Sequence, residues 1–190
     1  MIQRVQNLYL VLALVCLATA IFTPLGTYTF DVPGYVNGNM VLTPKSETLE
    51  NATYDKDNVH LNLQEIKKYE VGEVFPMIIV NGILAALILL TIVKFKSLKA
   101  QLKINRITFI ISLLVIVLLI VGVFILPSIM NEGIKSNFLL DKKILNETVT
   151  GSFSTGIAYY LYFATTAFIF LASVGIKKDI SLLKSIDRIR

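Results

Sequence analysis

The chain has 190 residues, a formal net charge of +5 and a pI near 9.3. Apolar residues make up 55% and charged residues 16%, and the mean hydropathy is +0.70; a soluble domain has about 45–50% and about 25%. This excludes an ordinary soluble globular domain, and the basic excess lacks the reading or stacking face of a nucleic-acid binder.

Four uncharged apolar runs hold the excess, and they predict four transmembrane helices at 8–26, 75–93, 107–127 and 156–176. Each is long enough for a hydrocarbon core of about 30 Å at about 1.5 Å per residue. The runs are continuously apolar rather than alternating, which favours helices over barrel strands. Pro24 is expected to close the first span, Pro76 to open the second and Pro127 to close the third. Arg4, the apolar stretch and Ala18-Thr19-Ala20 also fit a cleavable signal peptide, although the run continues through Ile21 and Phe22.

Residues 27–74 form the larger connection. "TYTFDV" alternates, with Tyr28, Phe30 and Val32 on one face, and "NMVLT" and "VHLNL" read as further strands. Pro33-Gly34, Asn37-Gly38 and Pro44 read as turns, and 65–72 as a short helical turn. Asn51-Ala52-Thr53 and Asn146-Glu147-Thr148 fit the N-glycosylation pattern. In the connection 94–106, Ser97 is the expected N-cap of a helix running from about 98 to 127. The connection 128–155 offers "FLLDKKILNETV" as a strand or hairpin. After the fourth span, Ile176, Ile180, Leu183 and Ile186 recur at spacings of four, three and three, with Ile189 continuing them. That pattern predicts an amphipathic helix continuous with the span. Its apolar seam is expected either to pack on 98–106 and lipid or to dock a protein partner. The fold class is therefore an all-α membrane domain over 1–190, with a small β-rich outer cap built from 27–74 and 128–155.

Segments 1–7, 94–106 and 177–190 carry 11 of the 18 Lys and Arg residues. The positive-inside rule places them, and both termini, in the cytoplasm. The spans contain no Asp, Glu, Lys, Arg or His, so the intramembrane charges that pumps use are absent. Cys16 is alone, which excludes an internal disulfide cycle. His60 with Asp55 and Asp57 matches no metal-ligand spacing, and no cofactor or nucleophile motif occurs. Asn81 is expected to hydrogen-bond between helices rather than to line a substrate cavity. Gly82 and Ala86 form a small-residue pair permitting close helix approach. Tyr159, Tyr160 and Tyr162 read as an interface belt, with stacking of a quinone or lipid headgroup as the alternative.

Both ends carry further pattern: Gln3-Arg4, then Lys99-Ala100-Gln101 with Lys103 and Arg106, then Lys177-Lys178-Asp179 with Leu182, Ser185, Asp187, Arg188 and Arg190. With Pro24 these resemble a Bacteroidota membrane family of four predicted spans, domain of unknown function 4293. Many relatives place Glu where this chain has Ile180. The resemblance implies a bacterial inner-membrane location and a retained N-terminus. It implies no activity. These polar positions, from Arg4 to Arg190, are the candidate contacts for anionic membrane lipid or for a membrane or cytoplasmic protein. The functional expectation is a non-enzymatic accessory or scaffold subunit of a cell-envelope complex, without cofactor, metal or nucleic acid. The alternative is a small transporter or lipid-handling protein, followed by an outer-surface enzyme using His60, Asp55 and Asp57.

Overall fold

A computed structural model describes residues 3–32, 36–43, 47–54, 77–138 and 150–187. In chain order these form α1 (Gln3–Phe22), β1 (Gly26–Val32), β2 (Val36–Leu42), β3 (Glu47–Tyr54), α2 (Met77–Val93), α3 (Leu98–Phe138), β4 (Thr150–Thr155) and α4 (Ile157–Asp187). All four helices are long and apolar enough to cross a membrane. The chain divides into two compact units. One takes α1 to Ile21, 78–118 and α4 from Tyr160; the other takes the strands, α3 from Leu119 and α4 to Tyr159.

The helical unit packs along seams of regular spacing. Buried positions are Gln6, Leu10, Ala13, Leu17 and Ala20 on α1, and Asn81, Leu84, Ile88 and Thr91 on α2. On α3 they are Gln101, Asn105, Thr108, Ser112 and Val115; on α4, Tyr162, Thr165, Ile169, Ala172, Ile176 and Asp179. Alternating steps of four and three are the repeat that keeps one narrow stripe facing neighbouring helices. Small and polar side chains dominate these stripes, whereas Ile107, Ile110, Leu113, Leu114 and Val117 of α3 are exposed. Such an inversion is the pattern expected of helices that meet lipid outside and one another inside.

The other unit is built on a four-stranded antiparallel sheet in the order β3-β2-β1-β4. Both connections therefore contribute, as expected. Alternation in β1 buries Tyr28 and Phe30, while Thr29 and Asp31 are exposed. Thr27 and Thr29 pair with Ser154 and Ser152, at 2.5 and 2.7 Å between hydroxyls. Tyr28 donates its hydroxyl hydrogen to Asn131 Oδ1 on α3, and burial pushes that phenol up, so it stays a donor. Where the two connections cross, Gly156 N–H donates to Leu25 O at 2.8 Å and Ala158 N–H to Pro24 O at 3.0 Å. A Cβ at Gly156 would lie 2.2 Å from Pro24 O, so the crossing requires glycine.

Several sequence expectations need correction. The first span does not reach 26: α1 stops at Phe22 because Pro24 ends it, and Gly26 opens β1. Pro127 does not close the third helix. It lies inside α3, which runs on to Phe138, where the Tyr28–Asn131 hydrogen bond holds the extension to the sheet. Asn37-Gly38 is not a turn but part of β2, with Gly38 opposite Phe30. β3 runs through Asn51-Ala52-Thr53, and β4 lies just beyond the predicted "FLLDKKILNETV". Of that stretch only Phe138 is described, and it is helical. "VHLNL", the 65–72 turn, Pro76, Asp55, Asp57, His60 and Asn146 lie outside the described residues. The start at Leu98 is as expected: Ser97 has extended backbone, and its carbonyl accepts from Gln101 N–H at 2.9 Å. α4 continues unbroken through the fourth span to Asp187.

Candidate functional site

Within the helical unit the buried polar side chains divide into two kinds. The threonines and Ser112 satisfy their hydroxyls on their own helix: Thr91 donates to Leu87 O, Thr108 to Ile104 O, Ser112 to Phe109 O, Thr165 to Leu161 O and Thr166 to Tyr162 O. Carboxamides reach across helices, because their longer arms clear the backbone. Gln6 Nε2 of α1 donates to Asp179 Oδ2 of α4. Gln101 Nε2 of α3 donates to Asn7 Oδ1 of α1 at 3.4 Å. Asn105 Nδ2 donates to Ile169 O at 3.1 Å and to Ser173 Oγ at 2.6 Å. Tyr162 donates its hydroxyl hydrogen to Asn81 Oδ1 at 2.8 Å.

Three of these contacts form a layer joining α1, α3 and α4. Gln101 and Asn105 stand one turn apart on α3; Ser173, Ile176 and Asp179 follow at steps of three on α4. Gly175 admits Gln6, since a Cβ there would approach Gln6 Cγ to 2.9 Å. Phe109 and Phe170 lie beside the layer, ring centroids 5.8 Å apart. Asp179 is the only carboxylate in the buried set of described residues, at 6% exposure. Its Oδ1 and Asn105 Oδ1 are both buried without a hydrogen-bond partner. The layer thus holds one acid among neutral amides and hydroxyls, an arrangement for binding or orientation.

The candidate residues separate clearly. Lys99, Lys103, Arg106, Lys177, Lys178 and Ser185 are exposed, and Ser185 also donates to its own helix at Leu182 O, 2.7 Å away. Gln101, at 1%, and Asp179 are not available to lipid or a partner, because α1 covers them. Arg188 and Arg190 lie outside the described residues, as do the side chains of Arg4 and Asp187. Asn81 makes the expected interhelical bond, whereas Gly82 and Ala86 are exposed, and a Cβ at Gly82 would meet nothing within 4 Å among the described residues. Tyr162 is buried and does not belong to an interface belt; Tyr160 is exposed. The predicted apolar seam of the last helix holds at Ile176 but not at Leu183, which is 53% exposed. What buries this stretch of α4 is Asp179 against Gln6, a contact with α1.

Gln6, Asn7, Asn105 and Ser173 escaped sequence reasoning. Their signal was present: Gln101, Asn105, Thr108 and Ser112 recur at four, three and four, the spacing of a buried seam written in polar residues. No curated protein matches the chain. The sequence pattern of the family described as Domain of unknown function (DUF4293) covers residues 2–189, and the chain belongs to that family.

Proposed function

We propose that this protein is a multi-pass protein of a bacterial cytoplasmic membrane, with both termini in the cytoplasm. In this reading it serves as a non-catalytic accessory or scaffold subunit of a cell-envelope complex. The observation that carries the reading is the end of α4. Residues 181–185 are all exposed, Leu182 at 39% and Leu183 at 53%, directly after Lys177 and Lys178 and beside Lys184. Lys94, Lys96, Lys99, Lys103 and Arg106 add an exposed basic rim on the other described helix ends. Basic groups near an anionic leaflet contribute about 1 kcal/mol each, which holds the rim at lipid headgroups. The bare leucines then offer an apolar contact to a membrane or cytoplasmic protein.

The test is purification from native membranes in gentle detergent, with crosslinking. A defined complex is expected, and Leu182→Asp with Leu183→Asp should release the partner without loss of the membrane protein. A monomer with no crosslinked partner contradicts the scaffold role. These substitutions are preferable to removing 177–190, which would also remove Asp179 from Gln6. The alternative of a small transporter or lipid-handling protein draws support from Asn81 on α2, whose Nδ2 is buried without a hydrogen-bond partner among the described residues. It requires a solute or lipid that co-purifies and is lost in Asn81→Leu.

A further inference from the structure

We propose that the polar layer joining α1, α3 and α4 binds one monovalent inorganic cation, with Asp179 supplying the balancing charge. The inference does not depend on the scaffold role. Asp179 Oδ2 accepts from the Gln6 amide, a neutral donor, and Oδ1 is buried with no partner among the described residues. Isolated buried charge is costly, so a carboxylate in such a place is normally paired, metal-bound or protonated. Lys177 and Lys178 on the same turn are exposed, as are Lys99, Lys103 and Arg106 on α3.

Asn105 provides the independent observation. Its Oδ1 is also buried and unpartnered. Its orientation is fixed, because Nδ2 donates to both Ile169 O and Ser173 Oγ, and a reversed amide would set oxygen against the Ile169 carbonyl. Both unpartnered atoms of the layer are therefore oxygen acceptors, and what they call for carries positive charge or donor hydrogens. (The third buried unpartnered atom, Asn81 Nδ2, is a donor on α2.) Carboxylate, carboxamide and hydroxyl oxygens suit hard cations. One carboxylate neutralises one positive charge, whereas a divalent ion would leave net charge buried. Ser173 and Asp179 are separated by about 9 Å of helix rise, so the ion rests on Asp179 and keeps water that reaches Asn105.

The experiment is thermal unfolding of the full chain in detergent at fixed pH and ionic strength, in lithium, sodium, potassium or N-methylglucamine chloride. One alkali ion should raise the midpoint by at least about 3 °C over N-methylglucamine at saturation. Asp179→Asn, which keeps an acceptor for Gln6, should unfold alike in all four salts. If that variant does not accumulate, sodium NMR line broadening by the wild-type protein, reversed by an excess of a competing alkali ion, gives the same reading. Salt-independent unfolding that moves only with pH assigns the place to a proton and overturns the proposal, as does unchanged ion dependence in Asp179→Asn.

Discussion

Gly156 shows how one residue can hold two connections together. Its N–H bonds Leu25 O, and the absent Cβ leaves Pro24 O its place. Gly156→Ala should therefore destabilise the protein by about 1–3 kcal/mol, the range for overpacking a close contact, read as a lower unfolding midpoint. Tyr28 ties the sheet to α3 through Asn131. Tyr28→Phe should cost about 0.5–1.5 kcal/mol, the net worth of such a bond. The same residue has a pH signature. Its folded-state value is raised by burial, so the neutral phenol is favoured in the fold. That stability is fully present below the ordinary phenol value of about 10 and is lost as pH rises through the folded value. Wild type should thus lose more stability than Tyr28→Phe across that alkaline window, measured by parallel denaturant titrations.

At the scale of elements, helix existence was legible and helix facing was not. Four apolar runs give α1 to α4 by length alone. Apolar periodicity alone does not mark the buried face, because many large apolar side chains of these helices are exposed while several polar ones are buried. Leu183 lies on the apolar repeat and is exposed, whereas Asn105 carries no apolar signal and is fully buried. Pro127 reads as a stop, but a proline removes one hydrogen bond, and α3 has a tertiary contact beyond it at Asn131. β1 and the second half of β2 are legible in the sequence, whereas Asn37-Gly38 in the first half of β2 reads as a turn. β3 and β4 are not legible, because "ETLENATY" and "TGSFST" are too polar to announce themselves, and they are defined by pairing with β2 and β1. The interhelical reading of Asn81 yields a direct check. A double-mutant cycle of Asn81→Leu and Tyr162→Phe should give a coupling of about 0.6–1.7 kcal/mol. Additive effects would remove that bond from the account.

For the whole molecule, the residues that suggested the family also assemble its interior. Gln101 and Asp179, from two of the quoted motifs, meet α1 through Asn7 and Gln6. The basic residues beside them stay on the surface. Pattern at the chain ends thus has two physical origins, a buried layer and an exposed rim, which a single sequence reads as one. The proposed function puts the basic helix ends on the cytoplasmic side of the bilayer and β4 on the opposite side. Cys16 is the sole cysteine, so a Cys16→Ala background is blank to thiol reagents. Single cysteines placed at the exposed Ser152 of β4 and Ser185 of α4 then report the side directly. With a membrane-impermeant maleimide on intact cells, Ser152→Cys should label, and Ser185→Cys should label only after lysis. Labelling of Ser185→Cys in intact cells, or protection of Ser152→Cys until lysis, would contradict the account.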